Sequence, residues 1–360
     1  MLWVFDKLEK KFDYKNINLK QMISNNSKAV DKINLNLNEN MMGCSLKVIE
    51  ALRKISNEDI SKYPNYETLL SKLSCYLNVN ANQLLLTNGA DNAITLIMDT
   101  YLNKDEKVII PIPTFHVFLN FAELKGFNKK LVSYHDDLTF PTDEIIDEID
   151  EQTKLVIIVN PNNPTGSLIP QEDIIKIVEK SKKSIVLIDE AYFQFSGQSS
   201  KDLINKYSNV IIIQTFSKGF GLAGLRIGYI IANSDIINKL NKNKLPFEVN
   251  TISTIAASAA LNDIDFVNHY VEIINQNKKY LQDELTKLGF KTYKSHTNFI
   301  LASFGEKSDF VLNQLNERNI KVKDLSYNKE LKGCIRITIG TKHQMEKFVD
   351  ELKDILSYNY

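Results

Sequence analysis

The chain reads as an α/β protein, with a large domain on a mostly parallel seven-stranded sheet followed by a smaller α+β C-terminal domain. Three observations lead there. Between about residues 83 and 232, short β-branched runs alternate with helix-like stretches, the pattern of a sheet covered on both faces. The 360 residues are too many for one small core and suit a large domain plus a lesser one. Beyond residue 287 strands become few and helices terminal, which marks a separate α+β unit.

In order, the strands expected in the large sheet are "QLLLTN" (83–88), "KVIIPI" (107–112), "KLVSY" (130–134), "KLVIIVN" (154–160), "SIVLID" (184–189), "NVIIIQTF" (209–216) and "GYIIA" (228–232). Each is a short apolar run bounded by turn or helix signals. Helices lie between most of them, for example "DNAITLIMDTYL" (91–102) and "QEDIIKIVEKSKK" (171–183). Residues 251–287 read as a long helical stretch broken near Asn262. Then follow "FILASF" (299–304), a helix around 308–318, "IKVKDL" (320–325), "GCIRITIG" (333–340) and a last helix near 341–357. The expected organisation is an N-terminal arm and part of the small domain over 1–45, the large domain over 46–250, a connecting helical stretch over 251–287 and the small domain over 288–360.

Composition narrows the function classes. Apolar residues make up 43% and the net charge is zero, which argues against a general nucleic-acid or acidic-membrane surface. The longest apolar runs are strand-sized, far short of a membrane span. "MLWVFDKLEKKFDYK" turns charged by its sixth residue and does not resemble a secretory signal. Cys44, Cys75 and Cys334 are scattered and odd in number, so neither a disulfide framework nor a zinc site is expected, and a cytoplasmic location is. The five histidines show no metal-ligand spacing. Only four arginines occur, Arg53, Arg226, Arg318 and Arg336; where arginine survives in so lysine-rich a chain, its planar fork is expected to matter.

Ligands of open α/β sheets gather beyond the carboxyl ends of the strands. Five such ends carry unusual residues. "TNGADNA" (87–93) opens a helix with Gly89 and Ala90, whose free N–H groups suit a phosphate. "PTFHVF" (113–118) puts Phe115 just after a strand, as a core residue or as a platform for a flat ring. "NPNNPTG" (160–166) packs three asparagines and two prolines into one turn. "LIDEAYFQF" (187–195) ends an apolar run in Asp189 and Glu190, and a carboxylate there wants a cationic partner. "TFSKGFGLAGLRIGY" (215–229) adds Lys218, Arg226 and four glycines. A lysine able to bond an aldehyde, a carboxylate to hold a pyridine proton, an aromatic platform, an asparagine and phosphate donors are the parts of a pyridoxal 5′-phosphate site.

With "LNLNEN" (35–40), "KYPNYE" (62–67), "LLTNGAD" (85–91), "TNFIL" (297–301) and "GCIRITIGT" (333–341) in the same order, these motifs resemble the fold type I, class I/II aminotransferases, and among them most closely the histidinol-phosphate aminotransferase group. The likeness runs from about residue 35 to the end. It implies an aspartate aminotransferase-like fold and a role for each matching residue. Lys218 bonds the cofactor aldehyde and later shuttles the substrate proton. Asp189 pairs with the pyridine nitrogen, Asn163 and Tyr192 bond the ring oxygen, and Phe115 stacks on the ring. Gly89, Ala90, Asp91, Thr215, Ser217 and Arg226 surround the phosphate, which Tyr63 reaches from the neighbouring subunit. Arg336 clamps a substrate carboxylate or phosphate, with Lys323 and Asn40 beside it.

Two departures stand out. Met41 and Met42 follow Asn40 where relatives have proline and a small or aromatic residue. Lys323 occupies a position where the family often has arginine, giving a point charge instead of a fork. The activity implied is amino-group transfer between glutamate/2-oxoglutarate and a small anionic, phosphorylated amine or carbonyl compound, by a cytoplasmic homodimer with shared active sites. The alternative is a decarboxylase of a phosphorylated amino acid, of the threonine-phosphate or serine-phosphate type. No metal, nucleic acid or membrane is expected.

Overall fold

A computed structural model describes residues 32–357; residues 1–31 of the expected N-terminal arm lie outside the described residues. Among the described residues twelve strands form two sheets: β1 (Ile33–Leu35), β2 (Leu84–Thr87), β3 (Lys107–Ile112), β4 (Asn128–Ser133), β5 (Thr153–Val159), β6 (Ile185–Asp189), β7 (Val210–Thr215), β8 (Gly228–Ala232), β9 (Lys291–Thr292), β10 (Phe299–Ser303), β11 (Ile320–Asp324) and β12 (Cys334–Thr338). The seven expected strands make one sheet, in the order β2-β8-β7-β6-β5-β3-β4.

Its pairs are parallel except around β8, which is antiparallel to both β7 and β2. The reason is local. A parallel return usually needs a crossover helix, whereas the connection from β7 to β8, residues 216–227, contains no helix beyond a single 3-10 turn, Ala223–Leu225. The strand therefore doubles back. Alternate residues feed opposite layers: Val210 and Ile212 of β7 join one apolar cluster, Ile211 and Ile213 the other. Helices Glu67–Leu77, Gln171–Lys180 and Thr251–Leu261 supply the first layer, with Leu73, Ile177 and Ala256 fully buried, and helices Gly89–Tyr101 and Ser234–Asn243 supply the second.

The second sheet runs β1-β11-β12-β10-β9, with β1 parallel to β11 and the other pairs antiparallel. One of its faces is sealed by helices Ile264–Lys287, Ser308–Glu317 and Lys342–Ser357, through Leu281, Val311, Phe348 and Leu352. The long helical stretch breaks at Asn262 and Asp263, the cap residues between helices Thr251–Leu261 and Ile264–Lys287. No helix of the described residues is long and apolar enough to cross a membrane.

Candidate active site

A cavity opens beyond the carboxyl ends of β3, β5, β6 and β7, and residues of the smaller sheet close it from the other side. This is where the strand order turns. From β3 the chain moves outward to β4, then returns across β3 to β5 and proceeds to β6 and β7, which leaves a crevice at the switch.

One end of the cavity is an anion cradle. Ala90 and Asp91 lie in the first turn of helix Gly89–Tyr101, whose N–H groups start unpaired. Arg226 adopts a left-handed backbone, φ +50°, and its Nη2 donates to Asp91 Oδ2 at 2.8 Å. Gly89 is needed beneath it: its own φ is +81°, and an added Cβ would stand 2.9 Å from Arg226 Nη2. Thr215 Oγ1 and Ser217 Oγ lie 3.0 Å apart on the same wall, both buried. Gly221, φ +72°, lets the lysine loop pass the segment around Gly43, whose carbonyl a Cβ would overlap.

Two adjacent carboxylates then meet different fates. Glu190 is satisfied: it accepts from Ser199 Oγ (2.6 Å), Ser200 N (2.6 Å) and Gln214 Nε2 (2.8 Å). Asp189, the last residue of β6 and only 3% exposed, accepts from Ala191 N at 3.0 Å and forms no salt bridge among the described residues. Burial raises its pKa to about 7, against the lowering effect of that N–H and of Lys218; Asp91 and Glu190 push it further up. Lys218 behaves as the complement. Burial first, then the positive field of Arg336, lower its pKa to about 8, and its Nζ donates to Leu37 O at 3.1 Å. An amine so placed has an accessible neutral, nucleophilic form near neutral pH.

The smaller sheet supplies the other wall. Arg336 of β12 is 7% exposed, donates through Nη1 to Asn163 Oδ1 (2.5 Å) and through Nη2 to Asn36 O (2.7 Å), and leaves Nε without a partner among the described residues. Lys323 of β11 is its direct cross-strand partner, so both project from the same sheet face. Neither forms a salt bridge with a carboxylate among the described residues. Tyr192 Oη accepts from Asn38 Nδ2 at 2.9 Å, and Asn38 is pinned in turn by Thr338 and Asn298.

Of the residues singled out from sequence, Lys218, Asp189, Asn163, Tyr192, Phe115, Ala90, Asp91, Thr215, Ser217, Arg226, Arg336 and Lys323 all line this cavity. Gly89 lies beneath it. Asn40 stands outside the lining; its Nδ2 donates to Gly219 O and its Oδ1 accepts from Met42 N. Tyr63 is 79% exposed, stacked on Phe247 at 4.5 Å, and does not reach the cavity of its own chain. Lining residues not singled out include Asn36, Asn38, His116 and Tyr327. Asn36 and Asn38 lie within "LNLNEN" and His116 within "PTFHVF", motifs visible in the sequence, whereas Tyr327 carries no sequence signal. Among the described residues no group of three or more histidine, cysteine or acidic side chains could hold a metal.

The profile of the family "Aminotransferase class I and II" matches residues 30–352. The histidinol-phosphate aminotransferase of Thermoanaerobacter sp. strain X514 is 39% identical over 313 residues, covering 86% of this chain and 88% of that one. Among solved structures, the histidinol-phosphate aminotransferase of Clostridium acetobutylicum superposes with a TM-score of 0.85 at 26% identity, over 91% of this chain and 99% of that one. The L-threonine-O-3-phosphate decarboxylase of Porphyromonas gingivalis shares the fold, with a TM-score of 0.78 at 24% identity over 90% and 99% of the two chains.

Proposed function

Because the chain belongs to the class I and II aminotransferase family and is a pyridoxal phosphate-dependent aminotransferase, we propose that it moves an amino group between glutamate/2-oxoglutarate and a phosphorylated amine, with histidinol phosphate the first candidate. The observation that carries the substrate reading is the pair Lys323–Arg336: two cations directly opposite on neighbouring strands, lining one cavity, with no carboxylate paired to either among the described residues. Like charges so placed destabilise a sheet, and the matching partner is an anion that arrives with the substrate.

The donor set fits pyridoxal phosphate. The Gly89–Arg226 cradle suits a phosphate, and Asp189 is a buried carboxylate awaiting a cation, as a protonated pyridine nitrogen is. Bound, the cofactor supplies an aldehyde that accepts the amino group and a ring that delocalises the electron pair released at Cα. The protein does the rest. Ala90, Asp91, Thr215, Ser217 and Arg226 would hold the phosphate. Asp189 would keep the ring nitrogen protonated. Asn163 and Tyr192 would bond the ring oxygen, and Phe115 would cover one ring face. Lys218 would anchor the aldehyde and then carry the proton from the substrate Cα, a role its lowered pKa supports. Arg336 would grip the substrate anion with its fork, fixing which Cα bond is broken.

The reading extends to assembly as a cytoplasmic homodimer. Tyr63 and Phe247 form an exposed aromatic pair outside the lining of their own cavity; in the dimer Tyr63 would reach the partner's phosphate. The domain limits 46–250 and 288–360, with residues 251–287 between, are part of the same proposal.

The test is a single-turnover half-reaction followed by cofactor absorbance, with glutamate, histidinol phosphate, histidinol and O-phosphothreonine. Conversion to the amine form by both glutamate and histidinol phosphate is expected. Release of carbon dioxide from O-phosphothreonine, with the cofactor left in its aldehyde form, would replace this reading with decarboxylation.

A further inference from the structure

His116 begins helix His116–Lys125 and lines the same cavity as Lys323, Tyr327 and Arg336. His116 is exposed as a residue but its ring is partly desolvated; it makes no hydrogen bond among the described residues and meets the Phe115 ring edge-on, centroids 5.0 Å apart. The helix it opens has no side-chain cap and no acidic residue in its first turn, so its positive end is not offset locally. The charged groups acting on His116 come from three other elements: Lys323 on β11, Arg336 on β12 and Asp91 on helix Gly89–Tyr101. Burial, Lys323 and Arg336 lower its pKa, and Asp91 opposes them.

We propose that His116 is a specificity-determining contact for the substrate's anionic tail, completing with Lys323 and Arg336 a cationic subsite that favours a phosphate dianion over a carboxylate. The inference rests on the phosphorylated-substrate reading above. Lys323 and Arg336 already line this cavity without a carboxylate partner among the described residues, a charged His116 would add a third cation, and Arg336, nine-tenths buried, leaves Nε unpaired. One charge less is tolerable when His116 is neutral, which it can be because imidazole titrates near neutral pH. A phosphate carries close to two charges at pH 7. Its arrival offsets the positive field of Lys323 and Arg336 at His116, which then takes a proton from solvent and adds a third, charge-assisted contact. The side-chain carboxylate of glutamate brings one charge where the phosphate brings close to two, and it gains less. Lys323 in place of a forked arginine fits this arrangement, since a point charge leaves directional bonds for the imidazolium to make.

The experiment uses holoenzyme, wild type and His116→Gln. The His116 ring C2–H resonance, assigned by its loss in His116→Gln, is titrated by NMR alone, with inorganic phosphate, with histidinol phosphate and with glutamate. The midpoint is expected to move to higher pH with both phosphate ligands and less with glutamate. In parallel, the kcat/KM ratio of histidinol phosphate over histidinol should fall about three- to tenfold in His116→Gln at pH 6.5, and less at pH 8.5. If neither phosphate ligand moves the midpoint, or the ratio is the same in both proteins, the inference is overturned. Should histidinol phosphate not be turned over, the substrate reading fails separately; inorganic phosphate still decides the role of His116 by whether it moves the midpoint.

Discussion

On the large-sheet wall of the cavity the cation Arg226 is already held, 2.8 Å from Asp91, and Glu190 has three donors of its own. On the small-sheet wall Arg336 and Lys323 face each other across adjacent strands, and no carboxylate answers either among the described residues. The difference follows from what each wall has to hold. A group that stays bound through many turnovers can be met by a rigid, internally paired set. A substrate that enters and leaves must bring its own counter-charge, so its wall keeps cations in reserve. Asp189 is the exception on the large-sheet side, a buried acid reserved for a resident cation. The comparison can be broken at each of these points.

Lys218→Ala attacks the wall of the resident group and should have the largest effect. No covalent adduct between cofactor and protein should form on borohydride reduction, read by mass spectrometry, and turnover should fall on the order of 10⁴-fold through loss of the proton carrier. A reducible adduct at another lysine of this cavity would reassign the anchor.

Arg336→Lys attacks the substrate wall. The side chain would keep its charge but lose the fork that now spans Asn163 Oδ1 and Asn36 O. The expected loss is about 1.5–3 kcal/mol per charge-assisted bond, or roughly ten- to a hundredfold in kcat/KM for both amino donors. A loss confined to one donor would mean that Arg336 serves only that donor's tail, and that the other is held elsewhere.

The same contrast explains what was legible in the sequence. The large sheet is a set of strands buried on both faces, so "LVIIV" and "VIIIQT" declare themselves as apolar runs, and its fixed residues sit in glycine- and asparagine-rich turns at the strand ends. That β8 runs antiparallel is written only in the lack of a crossover helix between β7 and β8. The small sheet is harder to read. β1 is three residues, "INL", and becomes a strand only because Ile320 and Val322 of β11 lie opposite Ile33 and Leu35. β9 is two residues long. Neither length carries a periodic signal. Asn36 and Asn38 reach the cavity because β1 pairs with β11, nearly three hundred residues away in the chain. Tyr327 follows β11 in a loop with no motif at all, and only the folded arrangement shows it beside Lys323, whose Nζ lies 5.5 Å from its ring.

The smallest effect tests the exception, and it needs no turnover. In the cofactor-free protein the carboxyl of Asp189 has a pKa of about 7, above the 3.8 of a free aspartate, because burial disfavours its charge. Below the unfolded value the group is neutral in both states and costs nothing. As pH rises towards the folded value the unfolded chain ionises freely while the native site resists, so stability falls; above about pH 7 the full penalty is present. Asp189→Asn carries no such penalty at any pH. Urea unfolding should therefore show the cofactor-free variant more stable than wild type by about 1–2 kcal/mol at pH 8, within a ceiling of about 4 kcal/mol set by the shift itself. The advantage should shrink steadily as pH falls from 7 towards 4. With cofactor bound the order should reverse at pH 8, since the ring nitrogen's proton then pairs with the carboxylate and the amide cannot replace it. A variant that is more stable in both forms would mean that Asp189 does not hold the ring nitrogen. A variant no more stable than wild type in the cofactor-free form would place a cation beside Asp189 from within the chain, and the two walls would then differ less than their geometry shows.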